Sequence, residues 1–199
     1  MSTSTTAPRT SALGRFASPV LLLALMWVVQ FVDAVLPISF TGFGLRAWDT
    51  SALGGVLLAP LLHASWAHLM ANSLPFLVLG CLVAVEGARR FWMVTLVVVL
   101  VGGAGTWLFS APGSVTVGAS GLVFGYFGYV VLRVFAPGRV AHRVLYAVIG
   151  LIVIGLYGAS MLAGIIGVSS GISWQAHLFG AVGGGVAVLL ARRRPGASG

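Results

Sequence analysis

The sequence predicts an all-α membrane protein, a six-transmembrane-helix bundle with a partly embedded first loop, and three observations carry that prediction. Of 199 residues, 59% are hydrophobic and 7% charged, and the mean hydropathy is +1.06. An ordinary soluble domain carries about 25% charged residues. The apolar residues gather into six windows, most of them long enough to span a bilayer. The formal charge of +8 comes from 11 basic residues, all arginine, against three acids. Such a balance can point to nucleic acid. Here, however, the arginines stand in short runs between the apolar windows instead of lining one face, so they read as topology signals and no nucleic-acid partner is expected.

Residues 1–16 are rich in Ser, Thr and Ala, carry Arg9 and Arg15, and lack apolar periodicity, which predicts a disordered cytoplasmic tail. Residues 19–36 form the first apolar window. Basic residues precede it, as in a signal peptide, but a convincing small-residue cleavage site is missing and further spans follow, so it is the first transmembrane helix. Asp33 is the only acid in that span. An intramembrane acid is a functional candidate by default, while its place near the helix end favours a cap on the neighbouring loop. Residues 37–65 mix Phe40, Phe43, Trp48, Gly54 and Gly55 with Arg46, Asp49 and the apolar run 56–62. That mixture suits a segment lying in the membrane interface and partly embedded.

Further windows at 66–85, 91–109, 120–135, 144–166 and 173–191 bring the spans to six. An even number puts both termini on one side. That side then holds Arg9, Arg15, Arg89, Arg90, Arg133, Arg139, Arg143, Arg192, Arg193 and Arg194, and the other side holds Arg46 alone. Basic residues concentrate on the cytoplasmic side. The expected organisation is therefore a cytoplasmic tail at 1–16, one membrane domain at 17–191 and a short basic cytoplasmic tail at 192–199. Cys81 is the single cysteine, so no internal disulfide forms, and the absence of a metal-type Cys/His cluster leaves no metal and no cofactor expected.

Spans two, four and six all run from outside to inside, so the residues that begin them share the outer half of the membrane. Those residues include His68 and Asn72, then Ser120, then His177. The fourth span has about 16 residues and covers roughly 24 Å of a hydrocarbon core of about 30 Å. Its start, and with it Ser120, is therefore expected below the surface. A serine needs a base to act as a nucleophile at neutral pH, and a neutral imidazole is the usual one. Asp33, Asp49 and Glu86 all lie elsewhere, so a Ser/His dyad is expected in place of a triad. His68 and Asn72 are spaced i, i+4 on one helix face. Aimed at a reacting carbonyl with the Ser120 N–H, they would stabilise an oxyanion. Alternatively Asn72 bonds a neighbouring helix.

Gly118-Ala119-Ser120-Gly121, His68-Leu69-Met70-Ala71-Asn72 and Ala176-His177-Leu178-Phe179-Gly180 together resemble the Gly-x-Ser-Gly, His-x-x-x-Asn and Ala-His-x-x-Gly motifs of the rhomboid family of intramembrane serine proteases. The resemblance covers about residues 17–191 and implies a rhomboid-like membrane domain. It implies Ser120 as nucleophile, His177 as general base, and His68 and Asn72 as oxyanion donors, with Gly118 and Gly121 supporting. His63 matches a recurrent structural histidine. Phe124 falls where the family often has a tyrosine under the catalytic histidine, which keeps the stacking face and loses the hydroxyl. The Trp-Arg pair that many relatives carry in the first loop is absent; Arg46-Ala47-Trp48 is a loose echo. Gly121 and Gly125, with Gly180 and Gly184, are spaced to let spans four and six meet.

The expected activity is cleavage of transmembrane segments near their extracellular ends, in a bacterial plasma membrane, with transmembrane proteins and the lipid bilayer as partners. Substrates would enter sideways, with the 166–173 connection and the adjoining end of span five as a gate. The competing class is an inactive rhomboid-like protein that binds membrane clients, whose mark would be loss of the serine or the histidine; both are present.

Overall fold

The computed structural model describes residues 14–136, 140–166 and 173–192, and over these the chain is mostly helical. Seven α-helices follow in order: α1 Ala17–Val35, α2 Gly55–Leu58, α3 Trp66–Ala84, α4 Ala88–Phe109, α5 Ser120–Arg133, α6 Val140–Ile166 and α7 Trp174–Arg192. Two short strands, β1 Leu45–Arg46 and β2 Val115–Thr116, pair antiparallel, with Leu45 opposite Thr116 and Arg46 opposite Val115. The helices that contain α1, α3, α4 and α7 are long and apolar enough to cross a membrane.

Local chemistry sets the boundaries. Ser65 ends an extended stretch, and its Oγ accepts the His68 N–H at 3.1 Å, which caps α3. Ser173 does the same for α7 through the Ala176 N–H at 3.2 Å. Asp33 Oδ1 accepts the Phe40 N–H, so the span-one acid is a cap on the first loop. The helices run past the apolar windows by three residues or more at two places. α4 begins at Ala88 instead of residue 91, and α6 at Val140 instead of 144. Arginine is a good helix former, so charge at positions 89, 90 and 143 ends an apolar window without ending a helix.

Residues 14–16, which composition assigns to the tail, form a 3-10 turn. Arg15 donates to the Val85 carbonyl at 3.2 Å and Phe16 packs on the core. Residues 1–13, 137–139 and 193–199, with Arg9, Arg139, Arg193 and Arg194, lie outside the described residues.

The core is centred on α3, α4 and α5. Tyr126 is fully buried between Phe76 and Phe91, with ring centroids 5.6 and 5.7 Å away, and its hydroxyl lies 2.7 Å from Thr95 Oγ1. Helix α7 then packs on α5 and α4 through glycines. A Cβ on Gly180 would strike the Gly121 carbonyl, one on Gly184 would strike the Gly125 carbonyl, and one on Gly128 would lie 2.6 Å from the Ala181 carbonyl. On the other side a Cβ on Gly102 would lie 3.4 Å from the Gly180 backbone. The α5–α7 seam is thus backbone against backbone, as small residues permit.

Just past the end of α3, Glu86 gathers partners from three helices, α4, α5 and α6. Glu86 accepts from Arg133 Nε at 2.8 Å and Tyr146 Oη at 2.9 Å, and pairs with Arg90 at 3.2 Å; Tyr129 Oη lies 3.3 Å away. This cluster locks α5 and α6 to the α3–α4 turn.

Candidate functional site

Ser120 is the first residue of α5 and is half-buried. The chain reaches it through β2 and then Gly118, whose φ of +117° is a conformation that side-chain-bearing residues rarely adopt. The Gly118 N–H donates to the Ala59 carbonyl at 2.9 Å, and the Ala119 N–H donates to His63 Nε2 at 3.3 Å. The first loop therefore holds the two residues before the serine from below, while β1 holds β2 from the side.

His68 stands in the first turn of α3 with its imidazole against Gly118. A Cβ at Gly118 would lie 2.6 Å from His68 Cε1 and 2.8 Å from Nε2. Glycine is needed there twice over, for the backbone angle and for the ring. His63 meets His68 edge to face, with centroids 5.1 Å apart. His63 is nearly inaccessible, and burial, helped by the neighbouring His68, pushes its pKa down to about 4. It is neutral at physiological pH, as an Nε2 acceptor must be. One turn along from His68 on the same face, Asn72 is buried, and its Nδ2 has no hydrogen-bond partner among the described residues. A buried amide donor left uncommitted is unusual enough to need a reason.

His177 is buried in the first turn of α7. Its ring lies flat on Phe124, with centroids 4.1 Å apart and planes 5° apart. Phe124 is four residues after Ser120, so both point from the same face of α5. The imidazole stacked on Phe124 is thus within about a helical turn of Ser120. Gly121, next to the serine, would place a Cβ 3.4 Å from the Ala176 carbonyl, so the glycine lets the residue before His177 come close.

Around Ser120 the fold gathers Gly118, His63 and His68 on one side and Phe124, His177 and Gly121 on the other, with Asn72 below His68. A small cavity of about 40 Å³ adjoins them, walled by Ala59, Val98, Gly102, Gly118, Gly121 and Ala176. Residues 167–172 of the expected gating connection lie outside the described residues.

Sequence reasoning overlooked the scaffold under the serine. Ala47 accepts the Gly113 N–H at 3.0 Å and donates to the Ser114 carbonyl at 2.9 Å, extending the β1–β2 pair into a clasp. Two-residue strands leave no alternation to read. The available signal was a pair of glycines in the first loop: a Cβ on Gly44 would lie 2.6 Å from Val117, and one on Gly55 would strike the Gly44 carbonyl.

Known proteins resemble this chain over most of its length. A family model described as Rhomboid domain matches residues 46–194. An uncharacterized protein of Mycobacterium tuberculosis (strain ATCC 25618 / H37Rv) is 42% identical over 174 residues, which cover 84% of this chain and 71% of that one. An uncharacterized protein of Mycobacterium leprae (strain TN) is 40% identical over 175 residues, 84% of this chain and 68% of that one. The protein named "Putative rhomboid protease YdcA" in Bacillus subtilis (strain 168) is 34% identical over 175 residues, 79% of this chain and 84% of that one.

Proposed function

The chain belongs to the rhomboid family, and on that premise we propose that it is an intramembrane serine endopeptidase, with Ser120 as nucleophile and His177 as general base. The observation that carries the proposal is the His177 ring seated on Phe124, one turn from a half-buried serine at the start of α5. A flat aromatic stack fixes the plane of the imidazole through the ring face, the orientation a proton-transferring base needs.

In the proposed reaction Ser120 Oγ attacks the scissile carbonyl while its proton passes to His177. Negative charge develops on the former carbonyl oxygen. Donors for it are the Ser120 N–H, the uncommitted Asn72 Nδ2 and a His68 ring N–H, and preorganised donors of this kind stabilise the oxyanion. Collapse expels the amine, which takes the proton from His177, and leaves an acyl-serine. Water, deprotonated by the same imidazole, then releases the carboxylate and restores the hydroxyl.

The bundle is proposed to cross the membrane six times with both termini cytoplasmic, as the arginine distribution supports. The 14 residues of α5 are too few to span about 30 Å of hydrocarbon, which supports a serine recessed into the bilayer. A peptide bond inside a substrate helix is shielded by its own hydrogen bonds, so a local stretch must unwind before attack. Cleavage is therefore expected near the extracellular end of transmembrane segments, where Gly or Pro lowers the cost of unwinding. The 40 Å³ of the adjoining cavity suits a small side chain beside the bond.

The test uses purified protein with poly-Leu transmembrane substrates that carry Gly-Ala pairs at successive depths. Cuts should cluster in the extracellular half, be blocked by a serine-directed phosphonate or isocoumarin, and vanish in folded Ser120→Ala and His177→Ala variants, since such a dyad acts as a unit. Near-native cutting by either variant would remove the dyad, and cuts in the cytoplasmic half would remove the orientation.

A further inference from the structure

The end of the bundle remote from Ser120 carries a second concavity, where the α3–α4 turn meets the end of α7. Glu86, Arg89, Arg90 and Met93 line one side and Leu190 and Ala191 the other, around about 260 Å³. From His68 to the end of α3 at Ala84 the helix rises roughly 24 Å, which separates this pocket from the serine level.

Its charge is unbalanced. Glu86 is the only carboxylate lining it, and that carboxylate already serves Arg133, Arg90 and the hydroxyls of Tyr146 and Tyr129. Arg90 engages Glu86 through Nε, which leaves its terminal amino groups as donors. Arg89 is exposed and takes part in no hydrogen bond or ion pair among the described residues. Two arginines line the pocket against one carboxylate that a third, Arg133, already engages, so the pocket is cationic.

Its wall is apolar. Met93 stands one turn from Arg89 on the same face of α4, and Leu190 opposes it from α7 with 46% of its surface exposed. A cationic rim over an apolar wall matches a ligand that is anionic at one end and hydrocarbon at the other. A free phosphate would satisfy the arginines and leave Met93 and Leu190 uncovered. Basic pockets between membrane helices are suited to anionic lipid head groups, and planar guanidinium forks match phosphate oxygens in pairs.

We propose that this pocket binds one anionic phospholipid, its phosphate held by Arg89 and Arg90 and its glycerol and first acyl carbons laid against Met93 and Leu190. The site needs only that the bundle lies in a bilayer, so it stands apart from the protease reading. A lipid there ties the start of α4 to the end of α7.

The full chain is reconstituted in matched-chain phosphatidylcholine and phosphatidylglycerol, and lipid retention is read by native mass spectrometry. One phosphatidylglycerol should be retained over phosphatidylcholine by at least about fivefold, the factor expected for one interfacial arginine. Arg89→Gln should lower that retention about fivefold. Leu190→Trp, which fills the cavity and keeps the arginines, should lower it as well. Thermal unfolding checks that each variant is folded, and Met93→Trp replaces Leu190→Trp where that one is not. Equal retention of the two lipids, or unchanged retention in the folded variants, overturns the proposal. Displacement of the lipid by millimolar glycerophosphate as readily as by phosphatidylglycerol overturns it too, since the pocket then takes a free anion.

Discussion

Replacing Gly118 by alanine should cripple catalysis while leaving a folded protein. At φ +117° any Cβ is strained, at about 1–3 kcal/mol. The added methyl would also lie 2.6 Å from His68 Cε1 and 2.8 Å from Nε2, where ordinary carbon contacts are about 3.5–4.0 Å. Something must retreat by about 1 Å. The Gly118 backbone is tied to the Ala59 carbonyl, so the ring on the first turn of α3 yields. A misplacement of about 1 Å in a catalytic group costs about 10²-fold in rate, and outright loss of an oxyanion donor about 10²–10³-fold. The expected result is therefore a kcat about 10²-fold lower on a model transmembrane substrate, with KM little changed. Gly113→Ala supplies the control: φ there is +76°, and nothing lies within 4 Å of the added carbon. It should lower thermal stability and leave kcat within about twofold. In a His68→Ala background the collision is gone, so Gly118→Ala should cost only backbone strain. Rate effects of Gly118→Ala and His68→Ala that simply multiply in the double variant would refute the account.

Three other perturbations probe separate parts of the fold. Phe124→Ala removes the surface under His177 and should lower kcat at least about tenfold, since the stack is worth about 0.5–1.5 kcal/mol and orients the base; Phe124→Tyr should keep the rate, and equal rates for all three proteins would dismiss the stack as an orienting device. His63 has a folded pKa of about 4 against an ordinary 6.5, so the folded state binds fewer protons between those values. Its contribution is complete above pH 6.5 and drains away as pH falls towards 4. The thermal midpoint should fall across that window, and His63→Gln, which keeps an acceptor for the Ala119 N–H without titrating, should flatten the fall. Glu86→Gln strips the charge from a hub serving Arg133 and Arg90, whose side chains are 15% and 27% exposed. Allowing for that exposure, a loss of about 2 kcal/mol is expected in denaturant unfolding; an unchanged midpoint would show the cluster to be ornamental to stability.

Apolar windows were legible because a bilayer demands them. The second window, 66–85, meets α3 Trp66–Ala84 to within a residue, and the serine that starts the fourth window starts α5. Window edges failed where a helix continues through arginines, which end an apolar run but favour the helical backbone, as at Ala88. The glycine spacing of spans four and six foretold their approach, because only residues without side chains allow carbonyls to touch. Glu86 illustrates the opposite case. Its partners Tyr129, Arg133 and Tyr146 lie 43 to 60 residues away, and no pattern in a one-dimensional string announces a cluster assembled by folding. The clasp of Ala47 on Gly113 and Ser114 was invisible for a related reason: it is made of backbone groups, which every residue possesses.

The seam between α5 and α7 has a bearing on which changes this chain can absorb. Its spacing is set by Gly121, Gly125 and Gly128 against Gly180, Ala181 and Gly184, positions that offer no rotamers. No side-chain rearrangement can widen or narrow it, so the separation of Ser120 from His177 is insulated from whatever happens on the lipid-facing surfaces. Residues such as Leu96, Leu151 and Leu189, exposed on the outside of α4, α6 and α7, can be exchanged to suit bilayers of other thickness or fluidity without passing the disturbance inward. Adaptation to a membrane and fidelity of the proposed reaction are thereby assigned to different atoms of the same helices.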